Sequence, residues 1–279
     1  MIKSSLLTIG ILGILAIIFL QSQQVQALTT LIASGDFGGK SSSIDNLKNI
    51  DATNRCFIGI GDYMYDKHPE TFIKSEGKTL GELWDNISCK IGFPGNHEEL
   101  KHQEEQWAQD VFKYGTQGYA AWKLGDVGII GISAYADFEK GSKQYEFVKN
   151  KAQAFDLNPL INHIVFVTHE PLWTPSIEGG HGPNTDLRNT FQDIIKIHNG
   201  FLIQAHNHVI AFGNNEGVSQ VVCGGGGYGG DSLTKLSGFD WASTKSGYCE
   251  FTFNEGMITA KAIAATDGKT IMKQQLFRK

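Results

Sequence analysis

The sequence predicts an α/β fold. Three observations predict it. Short apolar runs are separated by polar loops, helix-patterned segments lie between those runs, and a polar residue suited to metals follows nearly every run in the first two-thirds. In such folds ligands gather beyond the carboxyl ends of the strands.

The elements follow in order. Leu28–Ser34 is a short apolar strand that runs into Gly35-Asp36-Phe37-Gly38-Gly39. Ser42–Ile50 has Ser and Asp near its start and Ile44, Leu47 and Ile50 at helical spacing. Cys56–Ile60 is the next strand and ends at Gly61-Asp62, and Lys90–Phe93 ends at Pro94-Gly95-Asn96-His97. Glu98–Lys113 reads as a polar helix. Val127–Ala134 is a continuous apolar run, the mark of a strand buried on both faces. A helix is expected at Gln144–Phe155, a strand at Ile164–Thr168 ending at His169, an amphipathic helix at Asn184–His198, and a strand at Phe201–Ala205 ending at His206. From Val209 onward the pattern is strand-rich, with glycine turns at Gly224–Gly230 and Glu255-Gly256. No repeat, low-complexity run or Pro-rich linker divides the chain, so residues 28–279 read as one domain.

Residues 1–27 differ from the rest. Lys3 is their only charge, Leu6–Leu20 is almost wholly apolar, and Val25-Gln26-Ala27 fits a small-x-small cleavage site. This is the pattern of a signal peptide, and the apolar run is shorter than the roughly 20 residues of a spanning helix. The expected location is therefore secreted or extracytoplasmic, with membrane attachment only if the segment is kept. The formal net charge of −5 leaves no basic footprint for nucleic acid. Export permits disulfides. Of four cysteines, Cys56 and Cys89 stand near the same end of what read as neighbouring parallel strands, which favours Cys56–Cys89 and, by elimination, Cys223–Cys249; four buried thiols are the alternative. A lone Asn86-Ile87-Ser88 sequon permits a glycan in a host with the machinery.

The residues past the strand ends carry the chemistry: Asp36, Asp62, Tyr65, Asn96, His97, His169, His206 and His208. Each has a plain alternative. Asp36, Asp62 and Asn96, each beside glycine, suit turns, and His169 suits a core histidine. All the plain alternatives would have to hold at once. Carboxylate, amide oxygen and imidazole together suit Fe, Mn or Zn, and the absence of cysteine from the set argues against a structural zinc knuckle.

In order, Gly35-Asp36, Gly61-Asp62-x-x-Tyr65, Gly95-Asn96-His97-Glu98, His169 and His206-x-His208 resemble the five motifs of calcineurin-like metallophosphoesterases, over about residues 30–230. Gly38 stands where the wider family has a histidine, and Tyr65 stands where purple acid phosphatases place a metal-bound tyrosinate. The resemblance therefore narrows to a small, single-domain purple-acid-phosphatase-like branch. It implies a four-layer sandwich of two mixed β-sheets flanked by helices. It implies one ion held by Asp36, Asp62, Tyr65 and His208 and a second by Asp62, Asn96, His169 and His206, with Asp62 bridging. Tyr65 would favour Fe(III), paired with Fe(II), Zn or Mn. Two departures stand out: Ala205 replaces a glycine, and Phe166 replaces a valine.

The expected activity is hydrolysis of a small phosphate monoester by hydroxide held at the two ions. His97, next to Asn96, and His181, in Gly179-Gly180-His181-Gly182, are the candidates to bind the phosphoryl group or protonate the leaving group, and His102 is a further, weaker one. Glu98 reads either as a support for a ligand histidine or as a first-turn acid of the following helix. Competing readings are a Mn or Zn phosphodiesterase or nucleotide hydrolase, and a non-catalytic binding module that keeps the fold. The run Gly224–Gly230 lacks the Lys-Ser/Thr ending of a phosphate loop and reads as a turn near the site.

Overall fold

The computed structural model describes residues 29–38, 48–50, 55–63, 65, 87–99, 118–176, 181–227, 230–233 and 238–278. The signal-peptide segment, His102, Asn86 of the sequon and most of the helices expected at Ser42–Ile50 and Glu98–Lys113 lie outside these residues.

Two sheets form. The first has six strands in the order β13-β12-β11-β1-β2-β3: β1 (Thr29–Ser34), β2 (Cys56–Ile60), β3 (Cys89–Phe93), β11 (Gly247–Asn254), β12 (Met257–Ala264) and β13 (Ile271–Arg278). The second has seven in the order β10-β8-β9-β7-β6-β5-β4: β4 (Ala121–Leu124), β5 (Val127–Ile132), β6 (His163–Thr168), β7 (Phe201–Gln204), β8 (Ile210–Asn215), β9 (Val218–Cys223) and β10 (Phe239–Ser243). Both sheets are mixed. β1, β2 and β3 run parallel, as do β5, β6, β7 and β9, and the late strands are joined antiparallel. Among the described residues three helices accompany them: α1 (Asn96–Glu99), α2 (Lys143–Asp156) and α3 (Thr185–Ile197).

The apolar runs are continuous because the central strands are buried on both faces. On β6, Val165 and Val167 point into the core between the sheets, while Ile164 and Phe166 point into a second core against α2 and α3. Val148 of α2 and Leu187 and Phe191 of α3 fill that second core. The described part of the sandwich thus has three layers: helices, seven-stranded sheet, six-stranded sheet. Each long helix begins on a side-chain cap, Ser142 accepting from the Tyr145 amide and Asn184 from the Leu187 amide. Phe166 is accommodated because Gly200 lies beneath its ring, where a β-carbon would collide with it.

Cys56 and Cys89 are direct partners across β2 and β3 and form a disulfide, with Cα atoms 4.6 Å apart. The expected Cys223–Cys249 bond is absent. Those two residues face each other from β9 and β11 as buried free thiols in hydrogen-bond contact, and burial pushes the Cys223 thiol well up. Elimination failed because a parity argument does not test whether sulfurs bond; here a reduced pair fills the core between the sheets. Strand β4 went unrecognised, being short and only partly buried.

Candidate metal centre

The parallel strands of both sheets deliver their carboxyl ends to one edge, and there the sheets are stitched together. Gly35 donates its amide to the Cys223 carbonyl, and the Gly226 amide donates to the Gly35 carbonyl, both at 2.9 Å. The Gly224–Gly227 stretch is therefore a turn packed over the β1 loop, as its lack of a phosphate-loop ending suggested. The chain must reverse sharply past each strand, and Asp36, Asp62 and His206 take up the left-handed region with φ of 60°, 53° and 65°. This costs a non-glycine residue energy, least for Asp and Asn and their like. Gly35 also accounts for Ala205: a β-carbon on Gly35 would lie 2.7 Å from that of Ala205, so one methyl fits and two would not.

Glu98 fixes the loop that carries Asp62. Its Oε2 accepts the amides of Asp62 (2.8 Å) and Gly95 (2.7 Å), and its Oε1 accepts that of Tyr63 (2.9 Å). The Gly95 bond is the returning half of a capping box on α1. Of the two expectations for Glu98, the first-turn acid of the helix holds and the support of a ligand histidine does not: it stands in the first turn of α1 and binds backbone amides. Burial and the nearby Asp62 charge push its carboxyl up to about 7.

Two clusters of ligating atoms form. In the first, the Tyr65 hydroxyl lies 3.2 Å from Asp36 Oδ1 and 2.8 Å from His208 Nε2. Asp36 Oδ2 is held by the His206 amide at 2.8 Å, leaving Oδ1 to face the cluster. In the second, His169 Nε2 stands 3.1 Å from Asn96 Oδ1, 3.2 Å from His206 Nδ1 and 3.4 Å from Asp62 Oδ1. His169 Nδ1 is 2.6 Å from the Ile60 carbonyl, which can only accept, so a neutral His169 turns its Nε2 lone pair into the cluster. Asp62, Asn96, His169 and His206 are thus gathered, as are Asp36, Tyr65 and His208.

Such convergence of acceptors needs positive charge. Burial opposes charging of His169, but Asp62 outweighs it and holds the imidazole up at about 10. Burial works against ionised Asp62 too, and His169 outweighs it, drawing the carboxyl down to about 2. Burial, together with charge on His169, takes His206 down to about 3. Burial takes His208 down to about 4 despite Asp231. Burial pushes Asp36 well above the usual carboxylate range. In the metal-free protein a proton on His169 supplies the cation that the acceptors demand, and a metal ion competes for the same lone pair. The donor set and its burial suit metal ions, with Asp62, His169 and His206 offering ligand atoms within reach of one another.

His97 stands beside the clusters, not in them. Its amide donates to Asp62 Oδ1 at 3.1 Å, its ring meets Tyr65 edge-on at 4.3 Å, and its side chain is 32% exposed. His181 reaches the other side, its ring 5.0 Å from that of His206 and 4.5 Å from that of His208. Sequence reasoning missed Asp231, which binds His181 Nδ1 at 2.9 Å, Asn207 Nδ2 at 2.8 Å and the His208 amide at 3.0 Å. It follows a glycine run instead of an apolar strand, so no strand-end signal marks it.

No family model matches the chain, and no curated protein matches it. Solved structures do. A purple acid phosphatase from yellow lupin (Lupinus luteus) seeds superposes with a TM-score of 0.74 over 91% of this chain, at 16% identity. The chain has the metallophosphoesterase fold. It spans only 54% of the lupin protein's length. A dimetal phosphatase from Danio rerio shares the fold at a TM-score of 0.58 and 9% identity, over 90% of this chain and 98% of that one. So does GAP50, the anchor in the inner membrane complex of Plasmodium, at 0.69 and 14% identity, over 90% of this chain and 89% of that one. A metallophosphoesterase fold thus occurs under names of both enzyme and anchor, and function rests on the site.

Proposed function

We propose that this chain is an exported phosphomonoesterase of the purple-acid-phosphatase-like branch that would hold two metal ions, with Asp62 serving both. The observation that carries the reading is the pair of acceptor clusters, each short of positive charge, that share one buried edge of the sandwich. Asp36, Asp62, Tyr65 and His208 would hold one ion, and Asp62, Asn96, His169 and His206 the other. Two cations so held supply Lewis-acid stabilisation of charge on the phosphoryl group and activation of a water nucleophile.

The chain's own residues do the rest. His97, partly exposed beside Asp62, is placed to donate a hydrogen bond to a phosphoryl oxygen. His181, tied at Nδ1 to Asp231, presents Nε2 to the leaving-group oxygen, and in its doubly protonated form it can deliver the Nε2 proton there. Tyr65 offers a phenol oxygen, a hard donor suited to Fe(III). The Cys56–Cys89 disulfide supports an oxidising compartment, and the net charge of −5 leaves no basic footprint for nucleic acid. Among the described residues no helix is long and apolar enough to cross a membrane.

The test has two readouts. The purified, mildly oxidised protein is expected to show a broad visible band that disappears in Tyr65→Phe, and to hydrolyse p-nitrophenyl phosphate faster than its bis ester. Preference for the bis ester with no visible band would reassign it as a Mn or Zn phosphodiesterase. Two bound metals with neither activity would leave an anchor-like module.

A further inference from the structure

We infer that Asp231 is a positioning residue that sets which nitrogen of His208 faces the first ion and, with the same carboxylate, holds His181 against His206 and His208. This rests on the two-metal reading above, but its test reads metal binding and imidazole tautomer, not turnover.

The carboxylate collects several donors. Oδ2 accepts from His181 Nδ1 (2.9 Å), Asn207 Nδ2 (2.8 Å) and the His208 amide (3.0 Å), while Oδ1 lies 3.4 Å from His208 Nδ1. Asn207 is itself fixed. Its Oδ1 accepts the Thr174 hydroxyl at 2.6 Å, so its amide group must point its N–H at Asp231. Behind Asp231, Gly230 packs so tightly on Thr244 that a β-carbon there would come within 2.6 Å of the Thr244 carbonyl. The carboxylate is therefore held from several sides.

The consequence for His208 is a matter of counting hydrogens. An ionised carboxylate has no hydrogen to give, so the His208 nitrogen facing it must carry the N–H. Nδ1 takes the proton and Nε2 keeps its lone pair, which points to the Tyr65 hydroxyl at 2.8 Å and toward Asp36 Oδ1 at 3.7 Å. A metal-ligating histidine whose other nitrogen donates to a carboxylate is oriented and made more basic by it, and losing that partner costs about 10–100-fold in metal affinity. The same carboxylate fixes His181 with its proton at Nδ1, and its ring lies against both His206 and His208. One side chain thus ties a first-ion ligand to His181.

Asp231→Asn keeps the shape and exposes the logic. With its oxygen at the Oδ2 position the amide still accepts from His181, Asn207 and the His208 backbone. Its NH2 then faces His208 Nδ1, which must become an acceptor, so the ring proton moves to Nε2 and blocks ligation.

The experiment titrates the metal-free full chain with Zn(II), counts bound ions, and follows their release to a colorimetric chelator. Wild type is expected to bind two ions. Asp231→Asn is expected to keep one unchanged and to bind the other about 10–100-fold more weakly. His181→Gln should bind both as wild type does, showing that the effect runs through His208. Two ions bound by Asp231→Asn with unchanged affinity would overturn the inference. So would a third ion in the wild type that is lost in Asp231→Asn, because His181, His208 and Asp231 would then be a binding site in their own right. Should that variant not fold, a long-range 15N–1H spectrum of metal-free wild type decides: a proton on His208 Nδ1 supports the inference, one on Nε2 refutes it. A wild type that binds two ions yet hydrolyses no phosphate ester would refute the phosphatase reading and leave the role of Asp231 standing.

Discussion

Replacing Glu98 by Ala tests the architecture at its most concentrated point. One carboxylate accepts three buried amides, those of Asp62, Tyr63 and Gly95, at 2.7–2.9 Å. Each buried N–H left without an acceptor costs ~1–3 kcal/mol, so three give about 3–9 kcal/mol. Removing the buried charge returns part of this, because a carboxyl pushed up to about 7 is one that burial already penalises. A net loss of about 3–5 kcal/mol is expected, a large fraction of the stability of an ordinary domain. Glu98→Gln should lose less, since its amide oxygen still accepts, but its NH2 must confront at least one backbone N–H. Urea unfolding of the metal-free proteins measures the loss, and Zn(II) titration measures the second consequence, weaker binding as the Asp62 loop loosens. A Glu98→Ala protein within about 1 kcal/mol of wild type, binding Zn(II) as tightly, would refute the reasoning.

Three further outcomes are expected. Gly95→Ala would press a methyl onto the Asp62 carboxylate and within 2.5 Å of its amide nitrogen, so it should cost ~1–3 kcal/mol by overpacking and weaken Zn(II) binding, checked by the same two assays. Cys56→Ser with Cys89→Ser removes a crosslink across a sequence separation of 33, worth ~4 kcal/mol by loop closure; the bond lies at the amino-terminal ends of β2 and β3, so turnover at temperatures below unfolding should hardly change. Because His169 holds its proton up to about 10 in the metal-free protein, an ion must displace that proton at lower pH. From this residue alone, Zn(II) affinity should rise about tenfold per pH unit between about pH 6 and 8, and titrations showing a flat profile would sink that assignment.

Much of this was legible in the sequence, for a physical reason. A strand buried on both faces must be a continuous apolar run, so its end is visible, and the residue after that end is the one delivered to the edge of the sheet. Asp36, Asp62, Asn96, His169 and His206 all lie at such ends. Tyr65 and His208 follow within a few residues of one. Asp231 lies at the end of no strand, because a glycine run separates it from β9. Glu98 was legible as a first-turn acid of a helix, but its grip on the Asp62 and Tyr63 amides was hidden for another cause: which amides a carboxylate faces depends on how two loops cross, and residues 62 and 98 are far apart in sequence. The Cys56–Cys89 bond followed from strand register, whereas Cys223 and Cys249 meet from different sheets, where the sequence holds no register to read.

The left-handed backbone at Asp36, Asp62 and His206 carries a cost of order 1 kcal/mol apiece that the two cores beneath it do not need. The sandwich would stand more easily without its ligands. Asp36→Gly should raise the melting temperature of the metal-free protein while abolishing the first cluster, and a drop instead would show that the carboxylate's bond to the His206 amide outweighs the strain. If the melting temperature rises, mutation left unselected would drift toward sturdier chains that bind no metal. The presence of every acceptor in both clusters would then reflect what the edge does, not how the chain folds.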